Sequence, residues 1–212
     1  MTNILLFDEV NSVPVSVSVP VPVTKQACEK KLPGDLAMWI FIIMELTVFA
    51  IFFIAFAVTQ RIQSDMFIEG RATLNASIGL FCTLALIVSS YFVALAVEAV
   101  KKGNNFAASR RLVLALLSAT VYLVLKLSEY TTLVGLGYDL STNTFYTLYF
   151  FITGFHFMHV LLGMIILAYM GLKARKGSYM PTDSNGFEAG ASYWHMVDLV
   201  WIIVFFLIYI IH

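Results

Sequence analysis

Several ionisable side chains lie deep inside long apolar runs of this 212-residue chain: Glu45, Lys126, Glu129, His156, His159, His195 and Asp198. A charged group within hydrocarbon costs at least ~2.5–3.5 kcal/mol unless it faces a bundle interior and finds partners there. Each of these residues is therefore a candidate for function or assembly. Asp198 is the sharpest case, seven residues into a helix that runs apolar to the end of the stretch YWHMVDLVWIIVFFLIY at 193–209.

Spacing sorts the group into pairs. Lys126 and Glu129, three residues apart on one helix face, can form a local ion pair that lowers the desolvation cost of both. The ordinary outcome is an internally satisfied pair that snorkels toward the interface, and the chemical alternative is a proton relay. His156 with His159, and His195 with Asp198, repeat the same spacing on two different helices at similar depth. If those helices touch, three imidazoles and a carboxylate converge, which raises a metal centre of the kind helical bundles build. Such centres use several carboxylates, and a histidine bonded to a neighbouring helix is the commoner outcome in membranes. A haem held by two histidines needs a cavity, yet Phe155, Phe157, Met158 and Met196 crowd these positions. No directly bound metal or haem is expected.

Glu45 lies in WIFIIMELTVF with no basic residue near it on its own helix. Desolvation disfavours the charged form of such a carboxyl group. It is read either as a proton-responsive acid, reactive toward hydrophobic carbodiimides, or as a neutral acid hydrogen-bonded across a helix contact.

The elements that must carry these residues follow from composition: 60% hydrophobic, 12% charged, 18 Phe and a mean hydropathy of +0.86. Five runs are long enough to cross ~30 Å of hydrocarbon at 1.5 Å per residue. They fall near 34–60, 72–100, 109–133, 142–172 and 191–211. The expected fold is an all-α membrane protein, a bundle of five transmembrane helices. Net charge is zero and no basic stripe interleaves with aromatics, so nucleic acid is excluded as a partner. Cys28 and Cys82 fall at very different depths and are expected to be free thiols.

Residues 1–32 form a flexible tail whose Pro14, Pro20 and Pro22 oppose a helix. Basic residues then set orientation. Lys25, Lys30, Lys31, Lys101, Lys102, Arg110, Arg111, Lys173, Arg175 and Lys176 collect on one side, against Arg61 and Arg71 on the other. This predicts a cytoplasmic N-terminus and a C-terminus, His212, on the periplasmic side of a bacterial inner membrane. The loops are too short for a catalytic domain.

Three separated motifs, PGDLAMWIFIIMELTVFAIFF at 33–53, TGFHFMHVLLG at 153–163 and YWHMVDLVW at 193–201, resemble subunit III of the haem–copper cytochrome oxidases. Asn75, the Ser89–Ser90 region and KKG at 101–103 agree with it, over about 33–212. The resemblance implies a non-catalytic accessory subunit that packs against a haem–copper catalytic subunit I and associates with phospholipid. By position, Glu45 resembles the family's carbodiimide-reactive membrane carboxyl. His156, His159, His195 and Asp198 resemble its structural or lipid-associated polar positions. Long members have seven helices, and this chain begins at the third. Lys126 and the LAMWIF wording look more like the short, five-helix proteins associated with nitric oxide reductase. The reading from another class is an independent proton-coupled transporter using Glu45, Lys126, Glu129 and Asp198; the odd helix count and lack of an internal repeat weaken it.

Overall fold

The computed structural model describes residues 36–177, 179 and 185–211. The tail, with Cys28, and the C-terminal His212 lie outside the described residues, as does the boundary drawn at residue 32.

The described residues form helices and no strand. In chain order these are α1 (Leu36–Ile62), α2 (Ser64–Ala72), α3 (Ala76–Lys101), α4 (Asn105–Gly135), α5 (Thr144–Arg175) and α6 (Asn185–Phe205), the last continued by a wider turn of π geometry at Phe206–Ile210. All but α2 are long and apolar enough to cross a membrane, which makes this a multi-pass membrane protein with five candidate spans.

Asparagine side chains set three of the starts. Asn75, Asn104 and Asn143 accept hydrogen bonds from the backbone N–H of Ser77, Ala107 and Tyr146, satisfying donors that the first turn leaves free. The cap at Asn104 explains why α4 begins near 105 rather than at the expected 109. Just before it, Gly103 ends α3 at φ 75°, where a side chain would be strained.

The short helix α2 was not expected: its polar sequence reads as a loop. What makes it fold is an aromatic anchor. Phe67 is buried, with its ring centroid 5.0 Å from that of Phe56 and 5.3 Å from that of Phe145. Gly70 gives the Phe145 ring its room, because a Cβ there would collide with it.

Helix pairs approach closely where residues are small. Between α3 and α4, Ala85, Ala96, Ala115 and Ala119 are buried. Hydroxyls cross the same interface: Ser89 Oγ donates to the Ala115 carbonyl at 2.9 Å and Ser118 Oγ to that of Ala85 at 2.7 Å. Small residues and interhelical hydrogen bonds are what hold helices together in lipid, where apolar burial gives no preference for protein. Of the five spans α6 is the most enclosed and α1 the most exposed. The polar residues of α6 therefore sit where three other helices can reach them.

Candidate functional site

The largest polar assembly surrounds Lys126. Its ammonium donates to Glu129 Oε2 at 2.7 Å, to Tyr149 Oη at 3.0 Å and to Tyr209 Oη at 3.1 Å, which uses all three of its protons. Tyr209 Oη in turn lies 2.8 Å and 2.9 Å from the two Glu129 oxygens. Aromatic faces of Tyr130, Tyr149, Trp201 and Tyr209 surround the cation with centroids 4.8–5.6 Å away. The ion pair read from the three-residue spacing is present, but it does not snorkel. Lys126 is fully buried and Glu129 nearly so. Helix α5 brings the Tyr149 hydroxyl and the π turn that continues α6 brings that of Tyr209, so the pair has no need to reach for water.

A second assembly joins α1 to α5. Glu45 Oε2 lies 2.9 Å from His159 Nε2, and His159 Nδ1 donates to the Phe155 carbonyl at 2.8 Å. Because Nδ1 carries a proton for that bond, the contact with Glu45 holds one more proton shared between carboxyl and imidazole. The pair is either acid and neutral ring or carboxylate and imidazolium. Either way its net charge is zero, which lowers its cost in the bilayer.

His156, one turn away, has a different fate. It is fully buried, its ring 5.1 Å from Trp201, 6.0 Å from Tyr122 and 6.3 Å from Phe49. Neither ring nitrogen has a hydrogen-bond partner, and neither has the buried Tyr122 hydroxyl.

His195 and Asp198 turn away from these histidines. Ser90 Oγ on α3 lies 2.6 Å from His195 Nδ1. Asp198 is buried with Oδ1 unpartnered, and its carboxyl group also interacts with Ser90. Helices α5 and α6 do touch, with the Tyr193 hydroxyl donating to the His159 carbonyl at 3.4 Å and Trp194 against Gly163. Their histidines nevertheless face different neighbours: His159 pairs with Glu45 on α1, His156 packs against Trp201 of α6 and Tyr122 of α4, and His195 meets Ser90 on α3. The convergence of three imidazoles and a carboxylate does not occur. Among the described residues no three His, Cys, Asp or Glu side chains are placed to share a metal ion. Cys82 is a buried free thiol.

Spacing and depth did not mark Tyr149, Tyr209, Tyr122 or Trp201, and although the Ser89–Ser90 region stood out in the sequence, nothing there pointed to the contacts of Ser90 with His195 and Asp198. For the two tyrosines a signal existed. Each is a hydroxyl-bearing aromatic inside a span, and a buried lysine needs more acceptors than one carboxylate supplies.

Residues 26–212 match the profile of the family cytochrome c oxidase subunit III. The chain belongs to that family. It is 32% identical over 174 residues to cytochrome c oxidase subunit 3 of Corynebacterium diphtheriae, covering 81% of this chain and 85% of the relative. The protein of the same name from Thermostichus vulcanus is 31% identical over 177 residues, covering 83% and 86%. The heme-copper oxidase subunit I+III of Aeropyrum pernix is 29% identical over 181 residues, or 82% of this chain and 22% of that much longer one. The match includes every described helix, so the polar assemblies lie on a subunit III framework.

Proposed function

We propose that this chain is the non-catalytic accessory membrane subunit of a haem–copper superfamily respiratory complex, docked beside the catalytic subunit I in a bacterial inner membrane. The observation that carries it is the family match through the whole helix bundle, residues 26–212. The relative whose name joins subunits I and III in one chain supports direct docking between the two. The internal chemistry agrees. Lys126, Glu129 and the Glu45–His159 pair are tied to side chains of the same bundle, which suits a part that stabilises and shapes the proton environment of its neighbour. The basic residues orient the N-terminus to the cytoplasm and the C-terminus to the periplasm.

A narrower assignment, to the nitric-oxide-reductase-associated members rather than to a terminal oxidase, is favoured by Lys126 and the cage of aromatics built for it. Membranes from cells lacking the chain separate the two. The narrower reading predicts that nitric oxide consumption falls severalfold while oxygen consumption is unchanged; the reverse pattern assigns the chain to an oxidase. Loss of neither overturns the accessory role itself.

A further inference from the structure

Exposed hydroxyls inside the spans turn back on their own helices: Thr47, Thr120 and Ser128 donate to the carbonyls of Ile43, Leu116 and Leu125. They therefore present no unsatisfied proton to lipid. His195 is exposed too, near the middle of the span Asn185–Ile210 and about 15 Å from its start at 1.5 Å per residue. Its Nδ1 is held at 2.6 Å from Ser90 Oγ, and among the described residues Nε2 has no hydrogen-bond partner.

The protons of this cluster can be counted. Asp198 interacts with the same Ser90 hydroxyl. Two arrangements satisfy the three groups at zero net charge, which the bilayer favours. In one, a protonated Asp198 donates to Ser90 and Ser90 donates to Nδ1. In the other, a carboxylate accepts from Ser90, and Ser90 accepts from the Nδ1–H of an imidazolium. Nε2 carries a proton in both, so His195 offers an N–H donor at mid-bilayer depth.

The ring closes the deep end of a groove of about 280 Å³ between α3 and α6. Its walls are short side chains, Ala94 on α3 with Ala191 and Ser192 on α6, and the 3.2 Å ion pair of Lys101 with Glu188 closes the shallow end. Small residues let a neighbouring helix backbone come close, and a polar group at the contact fixes it in place.

We propose that this groove is the docking site for a transmembrane helix of another protein, one that sets an Asp, Glu, Asn or Gln side-chain oxygen against His195 Nε2–H. Acyl chains carry no acceptor, and the oxygens of lipid heads lie at the interface, too far out to reach this depth. A second copy seated symmetrically would set donor against donor. Docking requires only that the chain spans a membrane, so it does not depend on which complex the protein joins.

The test places a photoreactive diazirine amino acid at Val97, which also lines the groove, in the full chain within its native membrane. Mass-spectrometric mapping should find adducts with a transmembrane segment of a different protein, with one of the four residue types within a turn of the adduct. Retention of that protein in mild detergent then reads the variants. His195→Leu should lower it about threefold and at most roughly 20-fold, the range that one interhelical hydrogen bond gives. Replacing the partner's oxygen-bearing residue by Leu should lower it by the same factor, and both changes together no further. His195→Gln keeps an N–H donor and should retain most of the binding. Ala94→Phe fills the groove without touching the His195–Ser90–Asp198 cluster and should abolish retention, which decides the matter if melts show that His195→Leu does not fold.

Adducts with lipid alone, or with a segment that lacks such an oxygen, overturn the site. Adducts with a second copy overturn the partner. Unchanged retention in Ala94→Phe, or equal losses in His195→Leu and His195→Gln, overturns the contact.

Discussion

Lys126 and Glu129 form a 2.7 Å ion pair in which the lysine side chain is fully enclosed and the glutamate nearly so. Removing one partner of a buried pair leaves a charge that the interior cannot solvate, at a cost of about 3–5 kcal/mol, whereas replacing both by apolar residues is often neutral. Lys126→Met should therefore lower the melting temperature of the detergent-solubilised chain sharply, and Lys126→Met with Glu129→Leu should recover most of the loss. Additive losses in the double variant would show that the two side chains act independently.

The shared proton between Glu45 and His159 gives a labelling prediction. Carbodiimides attack the protonated carboxyl group, and the imidazole 2.9 Å away competes for that proton. His159→Phe should increase labelling of Glu45 by a hydrophobic carbodiimide, and Glu45→Gln should abolish it. Peptide mapping by mass spectrometry reads both. Unchanged labelling in His159→Phe would mean that the contact does not control the proton.

Gly163 sets the distance between α5 and α6. A Cβ added there would come 2.7 Å from Trp194 Cε3, so backbone or indole must shift. Gly163→Ala should cost roughly 1–3 kcal/mol of stability, as overpacking of a close contact does. Gly154→Ala, with open space around it, is the comparison and should be tolerated or slightly stabilising.

The turn between α4 and α5 carries a pH dependence. Ser141 donates to Asp139 Oδ1 through its hydroxyl at 2.7 Å and its backbone N–H at 2.8 Å, and Thr142 Oγ1 donates at 3.1 Å. These bonds, those of Ser141 foremost, hold the Asp139 carboxyl below the usual carboxylate range. A lowered folded-state value means that the stabilisation is present above the unfolded value of about 3.9 and is lost as pH falls through the lower one. Hydrogen-exchange protection across residues 136–143, measured against the intrinsic exchange rate at each pH, should fall below about pH 4 in the natural chain. In Asp139→Asn that acid-dependent step should disappear.

Local periodicity made some of this legible and tertiary contact hid the rest. Residues 126 and 129 share a helix face whatever surrounds them, so their pairing was readable from spacing alone. Their depth of burial was not, because it depends on hydroxyls contributed by Tyr149 and Tyr209. Glu45 was readable as a costly carboxyl in an apolar helix, yet nothing in spacing identifies His159, 114 positions away, as its partner. His156 and His159 are three residues apart, and helix rotation sends one to Trp201 and the other to Glu45. The five spans were clear from hydropathy. Helix α2 was not, since a single phenylalanine docking between two others outweighs a polar local sequence.

The accessory role makes one demand that no internal detail can substitute for, namely a catalytic partner. The chain should be affinity-purified from its native membrane in a gentle detergent, with an absorption spectrum and mass-spectrometric identification of the proteins that accompany it. The account predicts a haem spectrum and a haem–copper-type catalytic subunit in comparable amount. A lone, colourless chain, stable and active in proton-coupled transport when placed in liposomes, would contradict it.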